Sequence, residues 1–207
     1  MSVLARLASS LGRNDEVPNV QLAEAIAKKG DKTAVRELVE HLSGKDRAIQ
    51  NDAVKVLYEV GGRRPQLISP YADAFVDQLA ARNNRMVWGA MTALGTIAPM
   101  RADALWKRVG EIQRANDAGS VITQDWGIRV LAAVASAKAL YERKLFPYLL
   151  AFLERCIPRD VPKHAESILV AVNDRNKDAF LRVLKVREKH LKPTQMTRLR
   201  KVYKRLG

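Results

Sequence analysis

Four ladders of apolar residues run along this chain with the same increments. Ala53, Ala90, Gly127 and Ala165 stand 37, 37 and 38 positions apart. Leu57, Leu94, Leu131 and Leu169 keep those steps, as do Val60, Ile97, Val134 and Val172, and upstream of them Leu38, Phe75, Ile112 and Leu150. A fixed period of this length, with two helical segments in each unit, is the signature of stacked helical hairpins. Within the second helix of each unit the pattern is small–x3–Leu–x2–aliphatic. Positions i, i+4 and i+7 fall on one face of a helix, and a small first residue lets a neighbouring helix come close. A hairpin of this kind exposes its apolar face when alone, so stacking is obligatory.

The periodicity predicts a first hairpin from Lys32 to Gly61. Its first helix buries Val35, Leu38, Val39 and Leu42, the chain reverses at Ser43–Asp46, and Gly61-Gly62 caps the second helix. A second hairpin begins near Pro70 and ends at Ile97, before Pro99. A third spans Ala102 to Ala135 around a turn at Asn116–Ser120. A fourth covers Tyr141 to Val172, with a kink expected at Pro147. Residues 1–31 and 173–207 are read as caps on a single repeat domain, and nothing reads as a strand. Met1–Arg13 lacks the apolar core of a secretory signal and is read as an ordinary N-terminal helix or a disordered lead.

The chain resembles the HEAT/armadillo family of helical repeats between about Lys32 and Val172. Ala93-Leu94-Gly95 matches the Ala-Leu-Gly common in the second helices of that family. The arginine usual near the start of those helices is absent, its place being held by Gln50, Val87, Gln124 and Pro162. The resemblance implies an all-α fold: a right-handed α-α superhelix, a HEAT-like solenoid of about four to five stacked hairpins.

Lys and Arg number 36 against 22 Asp and Glu, a formal charge of +14 over 207 residues. An excess of this size points to an acidic partner. Cys156 is the single cysteine, so no intrachain disulfide is possible and a reducing, cytoplasmic compartment is the natural setting. Among Phe152, Leu153 and Ile157 it reads as a small buried hydrophobe. No run approaches the roughly 20 apolar residues of a membrane span. His41, His164 and His190 stand without a second ligand at metal spacing and read as surface or helix-end residues, so no metal or cofactor is expected.

In HEAT-like stacks the second helices line the concave face. Residues two before and two after each small core position then point into the groove: Asn51 and Lys55, Trp88 and Thr92, Asp125 and Arg129, Lys163 and Ser167. Trp126 and His164 lie one place further round. An acid, tryptophans and bases together also resemble, by residue type alone, the HEAT-like alkylpurine DNA glycosylases, which work through a basic concave surface with tryptophans and an aspartate. That resemblance makes Asp125 the catalytic candidate beside Trp88. Asp125 and Arg129 at i, i+4 are equally a surface pair, and the tryptophans equally inter-repeat packing.

The stretch from Arg182 to Arg205 holds ten bases and one acid, Glu188. Met196, Leu199, Val202 and Leu206 form a stripe at helical spacing opposite Arg198, Lys201 and Arg205, a basic amphipathic helix. The reading is a non-enzymatic binding module for an acidic partner, nucleic acid foremost, using Lys55, Trp88, Arg129, Lys163, Arg198, Lys201 and Arg205. A scaffold for an acidic protein and a DNA glycosylase are the alternatives.

Overall fold

A computed structural model describes residues 2–207, which are helical with no strand among them. They divide into two compact units, Met1–Gly127 and Ile128–Gly207. In the first, 3-10 turns at Val3–Arg6 and Ser9–Leu11 precede α1 (Val17–Lys29), α2 (Lys32–Glu40), α3 (Arg47–Arg63), α4 (Ala72–Asp77), α5 (Asn84–Lys107) and α6 (Val109–Ala118). Helix α7 (Val121–Ala137) carries the boundary. The second unit continues with α8 (Ala139–Arg155), α9 (Val161–Ile168), α10 (Lys177–Glu188) and α11 (Pro193–Leu206).

The ladders are the core. Ala53, Ala90 and Ala165 are fully buried, as are Leu57, Leu94 and Leu131, then Val60, Ile97 and Val134. The fourth unit departs from the pattern. There Ile168 and Ala171 are buried, while Leu169 and Val172 are only half-buried. Helix α9 runs straight into a 3-10 turn at Leu169–Ala171. At three residues per turn, i+3 and i+6 share a face, so the buried stripe from Ala165 slips back by one.

Three boundaries differ from those the periodicity predicts. Gly61 and Gly62 do not end α3, which runs on to Arg63 with Arg64 donating its N–H to the Val60 carbonyl. Gly61 is present because of space: a Cβ there would sit 2.4 Å from Thr96 Oγ1 and 2.6 Å from Ile68 Cδ1. Helix α5 passes Pro99 and bends at Arg101 (φ −126°, ψ 22°). Proline removes one N–H and crowds the preceding turn, which kinks a helix where packing still holds both halves. Residues 116–118 are helical, so the third turn shrinks to Gly119-Ser120. Helix α8 runs through Pro147 without a break.

The N-terminal segment is neither a regular helix nor a loose lead. Val3, Leu7 and Ala8 are buried. Asn19, 1% exposed, accepts from Ala8 N–H at 3.0 Å and donates to Asp52 at 2.7 Å, and Asp52 accepts from Ser9 N–H at 2.8 Å. These bonds fasten the 3-10 turns onto α1 and α3, and they satisfy backbone donors that burial would otherwise strand.

Gly95 and Gly62 separate the two roles of helical glycine. A Cβ at Gly95 would stand 2.3 Å from Trp126 Cε3, on a ring that cannot yield, whereas nothing lies within 4 Å of one at Gly62. Gly95→Ala is expected to cost about 1–3 kcal/mol by overpacking. Gly62→Ala is expected to stabilise by up to about 1 kcal/mol through helix propensity. Urea unfolding of both variants checks the two opposite signs.

Candidate partner-binding surface

In the first unit, Lys55, the one cation assigned to the groove, faces carboxylates of the same unit. Lys55 is 7% exposed, and its ammonium lies 2.9 Å from Glu16 and 2.8 Å from Glu59. Glu16 also takes Arg85 at 2.7 Å, and Glu59 takes Arg63, which reaches Glu24 at 3.2 Å. Three bases and three acids thus alternate through one network. Burial works against the Lys55 charge, but bonds to Glu59, Tyr58 and Glu16 outweigh it and hold the ammonium above its ordinary range. Burial pushes the Glu59 carboxyl up, but bonds from Lys55 and Arg63 keep it below its ordinary range.

The aromatic members of the expected site are part of this network. The Lys55 ammonium sits 4.9 Å from the Tyr58 ring centroid. Tyr58 and Trp88 meet at 5.8 Å with a 51° tilt, and the Arg85 guanidinium lies 5.8 Å from the Trp88 centroid. Trp126 packs its six-membered ring on Gly95. Both tryptophans therefore do packing work inside the unit. Asp125 is half-buried on the first turns of α7, and Arg129 is exposed on the same helix.

The second unit has a different balance. Residues 128–207 carry 19 Lys and Arg against 7 Asp and Glu, a net +12, while residues 1–127 carry 17 against 15, a net +2. At least four of the seven acids are held internally: Glu142, Asp160, Glu166 and Glu188. Glu142, 7% exposed, accepts from Arg175 at 2.8 Å and Asn176 at 3.1 Å. Burial pushes its carboxyl up, and those bonds bring it below the usual carboxylate range. Glu188, the one acid of the C-terminal run, accepts from Tyr203 Oη and meets Lys185 at 3.4 Å.

Helix α11 packs on α9 through Leu199 and Val202, both fully buried. The middle of its apolar stripe is thereby covered within the unit, while Met196 and Leu206 at its ends are half-buried. Arg198 forks onto Glu166 of α9, with Nε at 2.9 Å and Nη2 at 2.5 Å. The bond from Arg198 is the main reason the Glu166 carboxyl is held down, and the charges of Lys201 and Arg205 add to it. Three of the expected binding residues thus gather around one carboxylate. Arg200, Lys201, Lys204 and Arg205 are exposed. Lys163, one turn before Glu166, is half-buried with its ammonium 3.5 Å from Asp160.

His164 is corrected from its expected surface position. It is 2% exposed within α9 and meets Phe152 edge-on at 5.0 Å. The Cys156 thiol is pushed up to about 11 by burial, which leaves it protonated and a poor nucleophile near neutral pH. Among the described residues, no three His, Cys, Asp or Glu side chains gather so as to hold a metal ion, and no helix is long and apolar enough to cross a membrane. Glu16 and Glu166, the two carboxylates that organise these clusters, stand outside the groove positions that the periodicity singles out. Only the packing around them, Glu16 just ahead of α1 and Glu166 on α9, reveals them.

Comparison with solved structures places the chain in the armadillo/HEAT class of helical-repeat folds. A designed armadillo repeat protein in complex with the peptide (KR)4 superposes with a TM-score of 0.68 at 14% identity, over 90% of this chain and 86% of that one. Kap121p bound to Pho4p gives 0.68 at 13% identity over 99% of this chain, which spans 23% of that protein's length. An engineered protein matches over 100% of this chain and 98% of its own, with a TM-score of 0.60 at 18% identity. No protein-family model matches the sequence, and neither does any curated protein sequence.

Two outcomes test the geometry. Lys55→Met removes the cation between Glu16 and Glu59, and the carboxylates then face each other; a loss of about 1–3 kcal/mol in denaturant unfolding is expected. Glu166 has a folded pKa below its unfolded value of 4.5. Its contribution is therefore fully present above about pH 4.5 and disappears as pH falls through the folded pKa. The stability difference between wild type and Glu166→Gln should shrink over that interval.

Proposed function

We propose that the chain is a non-catalytic helical-repeat module that binds an acidic partner, nucleic acid, through cations of the Ile128–Gly207 unit. The charge partition carries this reading: +12 of the +14 lies in those 80 residues. Lys201 and Arg205, with Arg200 and Lys204 on the same helix and Arg129 on α7, supply the contacts, all five being exposed, while Arg198 is held by Glu166 and Lys163 by Asp160. Lys55 and Trp88 are assigned a structural role, since the ion network and Tyr58 already engage them.

A polyanion suits such a surface because each neutralised phosphate releases counterions, and the gain accumulates over many similar contacts. A membrane suits it less well. Interfacial helices insert an apolar face, and the centre of the α11 stripe, Leu199 and Val202, is buried. The designed armadillo neighbour holds a cationic peptide; here the surplus positive charge is on the repeat protein, so the sign of the partner is reversed.

Titration of labelled single- and double-stranded DNA and RNA at several salt concentrations tests the proposal. The logarithm of affinity should fall linearly with the logarithm of salt, with a slope reporting about three or more phosphates. The double substitution Lys201→Glu and Arg205→Glu should weaken binding at least about tenfold and lower the slope by about two. Lys55→Met should leave the slope unchanged. No binding at physiological salt would sink the nucleic-acid reading and transfer the charge to an acidic protein.

A further inference from the structure

Helices α8 and α10 leave a cleft of about 510 Å³ between them, within the second unit. Its floor is aliphatic: Leu150 from α8, with Val183 and Val186 from α10. Val186 is 64% exposed, the most exposed large apolar side chain described. The rim is basic, formed by Arg182, Arg187 and His190, with Glu154 as the one acid. Arg187 is committed on one side only. Its Nη2 donates to the Cys156 carbonyl, while its Nε is buried with no acceptor.

Two features of this cleft do not follow from phosphate binding. Phosphate contacts need no apolar floor. The cleft offers no aromatic platform for stacked bases, since no lining residue is Phe, Tyr or Trp. A volume of this size accepts a large side chain and its flanking backbone. Isolated exposed valines are ordinary on protein surfaces, but here Val186 borders a concavity lined on both sides and edged by cations. Aliphatic floor and basic rim complement a short segment carrying one bulky apolar side chain between carboxylates.

We infer that the α8–α10 cleft is a docking site for an acidic peptide segment of a protein partner, anchored by one large apolar side chain on Leu150, Val183 and Val186. Carboxylates on either side of the anchor meet the exposed Arg182, whose planar fork matches carboxylate geometry, and the positive charge of Arg187, whose Nη2 is engaged and whose Nε is buried. The apolar anchor supplies most of the affinity, because a side chain that fills a pocket is worth more than rim charges in water. The site is separate in composition from the α9–α11 cations, so the segment and a nucleic acid make different demands on the unit.

Two labelled peptides test this: a phenylalanine flanked on each side by three glutamates, and the same peptide with serine at the centre. Fluorescence anisotropy on the full chain should show the phenylalanine peptide binding at least about tenfold tighter. Val186→Asp, at an exposed position that folding tolerates, should abolish that preference, and Arg182→Glu should weaken both peptides. Lys201→Glu should leave peptide binding intact while weakening nucleic acid, which keeps failure of this site distinct from failure of the nucleic-acid reading. Equal binding of the two peptides would overturn the inference, because diffuse charge alone would then account for capture. So would a Val186→Asp chain that still prefers phenylalanine, or no binding of either peptide, or displacement of the phenylalanine peptide by nucleic acid in the Lys201→Glu variant.

Discussion

Close approach between helices is the constraint on which the fold depends. A second helix can stack on its neighbour only where side chains are small enough to let the backbones near each other. Gly89 faces the Val54 methyls, at 2.9 Å for an imagined Cβ, Gly95 faces the Trp126 ring, and Gly127 faces Asn116. The fully buried alanines at 53, 90 and 165 serve the same end with one methyl more. Once these contacts set the spacing, the leucine and aliphatic ladders fill the space on either side at the density of a protein interior. The polar groups then have to fit a frame already fixed, and Asn19, Asp52 and Glu142 do so through several short bonds each.

The same frame decides what each charge can do. In Met1–Gly127 the acids and bases nearly balance, and the buried Lys55 ammonium is matched by carboxylates within 3 Å. A charge held that way is a structural element, and its loss leaves its partners facing each other. In Ile128–Gly207 the acids are too few to match the bases, and Glu142 and Glu188 are held by partners within the unit. The surplus there follows from composition, and the packing of α11 on α9 determines which of its cations reach solvent.

The repeat was legible because its signal is a spacing repeated in four ladders, and burial follows it residue by residue through Val134. Legibility fails where local geometry departs from an ideal helix. The slip after Ala165 arises from a 3-10 turn, and no spacing rule anticipates overwinding. Gly61-Gly62 and Pro99 carry the letters of helix ends, yet tertiary contacts keep both helices going past them. The expected site was less legible for a related reason. The periodicity places Lys55 on a groove-facing helix position, but the acid that covers it, Glu16, precedes the repeats and announces no partner. His164 likewise reads as an isolated polar residue until Phe152 is seen against it. The run of C-terminal bases needed no structure to find. That the middle of its apolar stripe is buried, and that Val186 is not covered, could be learned only from the packing.

The charge partition also sets how the chain is felt at a distance. Alternating pairs such as those around Lys55 form a compact multipole whose field dies within a few ångströms. An uncompensated +12 acts as a monopole and is felt out to the screening length, about 8 Å at physiological salt. Residues 1–127, with a net +2, therefore project a much weaker field than residues 128–207. The reach of the field is thereby set by the ratio of bases to acids in each unit.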